Sequence, residues 1–301
     1  MTALWARAFS GFLGLSVGLL PALFWSCRAA ANGRYPEANQ LLTGLTGGAD
    51  PTLVVARATF GAVVSPPVAM LQGDTVIAGL QTTLSRTTDQ GCNWQLDTGI
   101  FANKYVIDVT ARRDQPAEAL AVTTTPIGGA LESFVARTTD AGASWALTGA
   151  DLGADFRAVT IEIAPSDATR IYVSGLLEPS YEPVVAVSDD GGQTWSRRTG
   201  LGLAGPPFIS AIDPSDADRL YARVPGNDID SLYVSEDGAT SFQNVIDRPG
   251  RMLGFALSPD GSRIAIGGPG IGIETADAMT LAFAVRSQVS ARPIACSTVP
   301  T

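Results

Sequence analysis

The chain has 301 residues, no histidine, three cysteines and a formal net charge of −9. The absence of histidine excludes a Ser-His-Asp triad, a Cys-His pair and a histidine-ligated zinc site. Only Lys104 among the 20 basic residues is a lysine, and an acidic chain without a basic run is poorly suited to phosphate backbones. With 46% apolar and 16% charged residues, the composition is typical of an ordered globular protein with no nucleic-acid partner.

Residues 1–31 are predicted to be a signal peptide. Arg7 supplies a short basic start, an apolar stretch runs from Ala8 to Trp25, and three alanines at 29–31 satisfy the small-x-small rule for cleavage. The remaining domain, 32–301, is then expected to be secreted or periplasmic and to have no membrane span. Two alternatives stay open, an uncleaved N-terminal membrane anchor and a lipoprotein attached through Cys27.

Cleavage after residue 31 leaves two cysteines, Cys92 and Cys296. In an oxidising compartment they could form a disulfide that ties the end of the chain back to its start. Two buried free thiols are the alternative, and the sequence does not decide between them.

Four segments share the pattern Ser/Thr-x-Asp-x-Gly-x-x-Trp, and their aspartates are 51, 50 and 47 residues apart. An aspartate can cap the amides of its own turn, a glycine permits a positive φ, and the aromatic ring can pack between neighbouring sheets. The pattern therefore predicts a repeated hairpin. The fourth copy has Ala239 at the glycine position. The shared positions are Asp89, Gly91 and Trp94; Asp140, Gly142 and Trp145; Asp190, Gly192 and Trp195; and Asp237 with Phe242.

A second repeated element lies between these hairpins. Residues 164–172 match residues 213–221, and residues 257–264 form a shorter version. Each contains a Pro/Asp turn between two apolar strands. One unit of about fifty residues is therefore four short antiparallel strands, which is the length and content of a propeller blade.

The four boxes resemble the Asp-box, or BNR, repeat of sialidases, sortilin-type receptors, certain glycoside hydrolases and photosystem assembly factors. The resemblance covers about residues 38–290. It implies an all-β fold, a β-propeller of four-stranded antiparallel blades with Asp-box hairpins. We count six to seven blades, some of them incomplete, so that the ring is open or irregular.

Strand alternation predicts that the boxes and the Pro/Asp turns share one face of the propeller, while the variable loops lie on the other. Those loops hold Glu178, Tyr181, Glu182, Asp228 and Asp230, a set suited to binding sugar or calcium. An ordinary solvated acidic surface is the alternative. Because most boxes offer only one or two carboxylates, they predict turn capping rather than calcium binding, and we expect no metal and no cofactor.

The sequence favours a secreted or cell-surface, non-enzymatic propeller that presents a face to an unknown protein or glycan. The alternative is a sialidase-like or other glycoside hydrolase acting on extracellular glycans, because two-carboxylate hydrolysis needs no histidine. The resemblance to sialidases would imply an arginine triad, and none can be assigned; residues 34–36 are not the Arg-Ile-Pro element of that family. No catalytic residue is therefore assigned, and the ligand is not identified.

Overall fold

A computed structural model describes residues 39–44, 53–58 and 67–287, with gaps at 81–82, 90–92, 98, 113, 129 and 269. Side chains are described from residue 67 onward. The predicted signal peptide, Gly91, Cys92 and Cys296 lie outside these residues. The described part of the chain contains no helix of the length and apolar character needed to cross a membrane.

Every element in the described residues is a β-strand, and five groups of four strands form antiparallel sheets. A separate antiparallel pair comes before them, β1 (Asn39–Gly44) with β2 (Leu53–Ala58). The first sheet contains β3 (Val68–Met70), β4 (Val76–Gly79), β5 (Leu84–Thr87) and β6 (Gln95–Leu96). The second sheet contains β7 (Val106–Ala111), β8 (Ala119–Thr123), β11 (Val135–Thr138) and β12 (Ala146–Leu147); a small hairpin of β9 (Thr125–Ile127) and β10 (Ala130–Glu132) lies between β8 and β11 in the chain.

The remaining three sheets are formed by strands that are consecutive along the chain. The third sheet contains β13 (Phe156–Ala164), β14 (Asp167–Leu177), β15 (Glu182–Ser188) and β16 (Ser196–Arg198). The fourth sheet contains β17 (Phe208–Ile212), β18 (Leu220–Val224), β19 (Ile229–Ser235) and β20 (Gln243–Pro249). The fifth sheet contains β21 (Gly254–Leu257), β22 (Arg263–Gly268), β23 (Gly272–Asp277) and β24 (Ala284–Ser287).

The first strands of successive sheets lie against one another, in the order β3, β7, β13, β17 and β21. The fourth strands β6 and β12 are exposed along their whole length. The sheets are therefore arranged with their first strands inside and their fourth strands outside, as in a propeller.

The core lies between consecutive sheets and not within any one of them. Four clusters of buried side chains join the first sheet to the second, the second to the third, the third to the fourth, and the fourth to the fifth. Because both surfaces of an inner sheet are covered in this way, its second strand is apolar on both sides, and all five residues of β8 are buried. Sheet-to-sheet packing is therefore what holds the fold together.

The observed fold is all-β, with four-stranded antiparallel sheets as the sequence predicts. The count of six to seven blades is not confirmed, since the described residues form five four-stranded sheets and two two-stranded pairs. Within the described ranges no strand pairing joins the first sheet, or the β1–β2 pair, to the last sheet. The described sheets are thus not closed into a ring by hydrogen bonds.

Candidate functional site

The four predicted box aspartates each cap a turn between the third and fourth strands of a sheet. In the third sheet, one carboxylate oxygen of Asp190 accepts bonds from the amides of Gln193 and Thr194, both at 2.9 Å, and from the Ser188 hydroxyl at 2.8 Å. Its other oxygen accepts the Thr194 hydroxyl at 2.6 Å. Asp89, Asp140 and Asp237 bind the corresponding positions of their own turns.

These hydrogen bonds to the carboxylates lower the pKa of Asp140 and of Asp190 to about 2, with the hydroxyls of Ser144 and Thr194 as the largest causes. The carboxylates are therefore ionised at neutral pH and used within their own hairpins. No group of three or more potential metal ligands occurs among the described residues. This arrangement favours the capping role over a calcium site.

The aromatic residues of the second, third and fourth boxes pack against the cluster that their sheet shares with the preceding sheet. Trp145 lies against the first cluster, where its ring meets Phe101 edge-on at 5.2 Å between centroids. Trp195 and Phe242 occupy the same place in the second and third clusters. In the fifth sheet Asp277 caps the turn and Phe283 packs against the fourth cluster, although the sequence there has no regular box.

The box turns and the turns between the first and second strands form one end of the propeller, named here the turn face. In the second to fifth sheets, one amide just after the box aspartate donates to a carbonyl of the neighbouring turn at 2.9 Å. The donors and acceptors are Ala141 and Ala117, Gly191 and Thr169, Gly238 and Asp218, and Ala278 and Ser262. Because this bond recurs from sheet to sheet, it is part of the scaffold.

The opposite end, named here the loop face, is formed by the loops between second and third strands and by the connections between sheets. Backbone bonds join these segments: the amide of Leu131 donates to Ala154, that of Glu178 to Asp155, and that of Gly250 to Asp228. These segments differ in length and sequence from sheet to sheet, whereas the box turns keep one hydrogen-bond geometry. A recognition site is therefore better placed here.

The predicted residues Glu178, Tyr181 and Glu182 lie together in the loop of the third sheet. Glu178 forms an ion pair with Arg157, whose guanidinium also lies 5.8 Å from the centre of the Tyr181 ring. Glu182 accepts a bond from the amide of Gly200 at 3.2 Å. Tyr181 is 58% exposed and adopts φ 57, so the turn holds its ring out toward solvent.

The predicted residues Asp228 and Asp230 lie in the loop of the fourth sheet and have different surroundings. Asp228 is exposed, whereas Asp230 is 4% exposed and accepts bonds from the amide of Met252 at 2.8 Å and from Arg251 at 3.3 Å. Asp230 thus fixes its own loop instead of facing solvent. Among the described residues no hydrogen bond or ion pair joins this loop to Glu178, Tyr181 or Glu182, so the structure does not form one cluster from the five.

The loop face also carries a group of exposed apolar side chains, of which only Tyr181 was predicted from the sequence. They come from four consecutive sheets and stand at the starts of first strands or in the loops between second and third strands. They are Tyr105, Ile127, Tyr181, Phe208, Ile229 and Leu253. Their neighbours in sequence are often Pro, Asp or Ser, which is the one signal that could have separated them from core residues. The guanidinium carbon of Arg223 lies 4.7 Å from the centre of the Phe208 ring, which is the same type of cation–π pair that Arg157 makes with Tyr181.

One carboxyl group of the inner strands has a strongly altered pKa. Asp108 on β7 accepts bonds from the amide of Ile161 on β13 at 3.0 Å and from that of Val109 at 2.9 Å. Burial raises the pKa of Asp108 to about 7, against the opposing effect of these two amides. No basic side chain forms an ion pair with it among the described residues, so its role is to join two inner strands.

Four-stranded antiparallel sheets packed side by side through their first strands define the β-propeller class. Known structures have this fold. The chain is similar to the β-propeller domain of Myceliophteria thermophila Cps50 (Swd1), with a TM-score of 0.53, 9% identity, and coverage of 87% of this chain and 90% of that chain. It is also similar to YCF48 bound to D1 peptide, with a TM-score of 0.50, 15% identity, and coverage of 84% and 73%.

An ancestral GH74 enzyme is similar at a TM-score of 0.50 and 16% identity. The match covers 73% of this chain but spans only 30% of the length of that enzyme. No protein-family model matches the sequence, and no curated protein is similar to it in sequence. These likenesses establish the fold alone, since an enzyme and a peptide-bound protein share it.

Proposed function

We propose that this protein is a non-enzymatic β-propeller that binds a protein partner through its loop face. The observation that carries the proposal is the set of six exposed apolar side chains on that face. Apolar patches on soluble proteins mark sites of interaction, and the proposal is that these six side chains together form such a patch. A protein surface with apolar side chains of its own is the partner that such a face fits.

The residue types on the loop face also support a protein partner. Tyrosine and arginine are enriched among residues that dominate binding energy, and the two aromatic–arginine pairs place both types at the surface. Tyr181 projects from a turn whose backbone is bonded to Asp155. An anchor that is already held in place loses little conformational freedom on binding.

The carboxylates of the loop face support binding over hydrolysis. A two-carboxylate glycoside hydrolase needs an acid and a base that both face the substrate, about 5 to 9.5 Å apart. Here Glu178 is paired with Arg157, Glu182 binds a backbone amide, and Asp230 is buried in its own loop. The fold favours neither function, because GH74 enzymes and YCF48 both have it.

The proposal also includes the features that the sequence predicts and the described residues do not test. They are the Asp-box family, six to seven blades in an open or irregular ring, and secretion after cleavage of residues 1–31; the sequence leaves open whether Cys92 and Cys296 form a disulfide or stay free thiols. Four capped hairpins of one geometry support the Asp-box assignment. A thiol count on the purified mature protein decides the disulfide, because two free thiols would exclude it.

The test compares two triple-site variants that remove similar apolar area. The loop-face variant is Ile127→Thr, Tyr181→Asn and Ile229→Thr, all at side chains more than half exposed, so the fold should be unaffected. The matched control is Leu96→Thr, Leu147→Thr and Met279→Gln, whose side chains are also more than half exposed but lie off the loop face.

Wild type and both variants are used as bait on extract of the native host, and each retained protein is purified and titrated against all three. We expect a partner that binds wild type and control alike and binds the loop-face variant at least tenfold more weakly. Equal binding by all three would refute the proposal. Turnover of a fluorogenic sialoside or glycoside panel that is lost in Glu178→Gln or Glu182→Gln would establish the hydrolase alternative instead.

A further inference from the structure

Met279 is an exposed methionine whose sulfur lies against a buried cation. It is 77% exposed and stands in the turn between β23 and β24. Its sulfur accepts a hydrogen bond from Nη1 of Arg219, with 3.2 Å between nitrogen and sulfur. Arg219 is 9% exposed and lies just before β18 of the neighbouring sheet. The pair therefore joins the fourth and fifth sheets on the turn face, and it is independent of the loop-face surface proposed above.

The equivalent arginine of the third sheet has stronger partners. Arg170 forms ion pairs with the carboxylates of Asp189 at 2.6 Å and of Asp218 at 2.9 Å. Asp218 belongs to the first turn of the next sheet, and the residue that accepts the same recurring turn bond in the fifth sheet is Ser262. Because Ser262 has no carboxylate, Arg219 lacks the anion that Asp218 supplies to Arg170.

The partners that Arg219 does have leave part of its hydrogen-bonding capacity unused. Nη2 donates to the carbonyl of Ala278 at 2.5 Å, and the carboxylate of Glu236 lies 3.9 Å from Nη2, beyond hydrogen-bond distance. Nε has no hydrogen-bond partner in the described residues. The thioether sulfur of Met279 is only a weak acceptor. A stronger acceptor at the position of this sulfur would therefore stabilise the buried cation.

Oxidation turns the thioether into such an acceptor. Hydrogen peroxide transfers one oxygen to the sulfur: a sulfur lone pair forms the S–O bond, the O–O bond breaks, and the second oxygen leaves as water with both protons. Sulfur loses two electrons and the peroxide gains them. The unbranched, exposed side chain of Met279 can shift outward to place the new oxygen at hydrogen-bond distance from Nη1 of Arg219.

We propose that Met279 is a site of reversible oxidation by hydrogen peroxide, and that Arg219 binds the sulfoxide oxygen and so tightens the contact between the fourth and fifth sheets. This is the opposite of the usual effect, because a sulfoxide formed within a core disrupts its packing.

The test uses the purified full chain in a Met70→Leu background, because Met70 is itself 48% exposed and would also react. Each methionine is followed by peptide mapping during treatment with hydrogen peroxide, and equilibrium urea unfolding is measured before and after it. We expect Met279 to be oxidised before Met252, which is 1% exposed in the cluster between the same two sheets. Methionine sulfoxide reductases should restore the starting mass and stability.

Met279→Leu in the same background is the matched control, because it undergoes every other oxidation, including those of the cysteines. Relative to this control, peroxide should raise the folding equilibrium constant of the parent about fivefold, since the buried cation gains a strong acceptor. In Arg219→Gln the cation is absent, and this gain should fall to a factor of about one.

Met279→Gln tests the same contact without oxidation. Its amide oxygen is a strong acceptor close to the position of the sulfoxide oxygen, so this variant should be more stable than Met279→Leu. If Arg219→Gln does not fold, as judged by circular dichroism, this comparison replaces it, and equal stability of the two variants would overturn the proposal.

Three other results would also overturn it. They are oxidation of Met252 before Met279, no gain in the stability of the parent over the Met279→Leu control after treatment, and a gain that persists in folded Arg219→Gln.

Discussion

Two tyrosines at equivalent positions differ in the hydrogen bonds of their hydroxyls, and this difference predicts different effects of the same substitution. Tyr172 on β14 and Tyr221 on β18 are both fully buried, and an arginine lies 5.9 and 5.7 Å from their ring centres. The Tyr172 hydroxyl donates to the carbonyl of Ala217, in the first turn of the next sheet, at 2.8 Å. The Tyr221 hydroxyl has no partner of normal geometry in the described residues. The next turn, at 258–262, belongs to the shorter version of the repeat and supplies no equivalent carbonyl.

The magnitude follows from these contacts. Tyr172→Phe leaves the carbonyl of Ala217 without its donor and also removes the 3.3 Å bond that the hydroxyl accepts from Arg170, which should lower the free energy of unfolding by about 1–2 kcal/mol. Tyr221→Phe removes a buried hydroxyl whose contact with Arg219 falls short of normal hydrogen-bond geometry, and should be neutral or stabilising by up to about 1 kcal/mol. The two variants lose the same atom, so cavity effects largely cancel between them.

The assay is equilibrium urea unfolding of wild type and both variants, compared at equal m values. We expect the midpoint to fall for Tyr172→Phe and to stay constant or rise for Tyr221→Phe. If both variants are destabilised equally, the reasoning from the shortened turn is wrong.

Three further results are expected. The pKa of Asp108 in the folded state is raised to about 7 from 3.8. Its contribution to the free energy of unfolding is therefore complete below about pH 4 and is lost as the pH rises to 7, by at most about 4 kcal/mol. In an unfolding titration, Asp108→Asn should remove this dependence on pH. Because the pKa of Asp140 is lowered to about 2, its contribution to the free energy of unfolding is present above about pH 4 and is lost as the pH falls to 2. Asp140→Ala should therefore reduce the loss of stability between these two pH values. An unchanged loss would contradict the capping role. Glu274 is 4% exposed and receives two bonds of 2.8 Å from Arg248 on the neighbouring sheet. Arg248→Met should lower the free energy of unfolding by about 2–4 kcal/mol, because it leaves the buried carboxylate without its cation. Adding Glu274→Gln removes that charge and should restore part of the lost stability in the same assay.

The hairpin geometry was largely predictable from the sequence, because it is set by residues close together in the chain. Asp190 binds amides three and four positions later, and Gly192 adopts φ 90 immediately beyond it. Such short-range contacts recur with the sequence pattern. In the fifth sheet the pattern has faded, yet Asp277 caps its turn in the same way, since one carboxylate and two free amides are enough.

The loop-face candidates could not be sorted from the sequence. Asp228 and Asp230 are two residues apart in one loop, but one is exposed and the other is buried beneath Arg251 and Met252. Whether a carboxylate faces solvent or its own loop depends on chain segments more than twenty residues away.

The sequence by itself determined the class of fold. A fifty-residue period with stereotyped turns allows only a repeat architecture, and alternation within four-stranded units gives a propeller of antiparallel sheets. Only the tertiary structure decided which acids are accessible, which apolar side chains reach the surface, and where Met279 meets Arg219 of the neighbouring sheet. Turn geometry is encoded by neighbouring residues, whereas exposure arises from contacts between sheets that are about fifty residues apart in the chain.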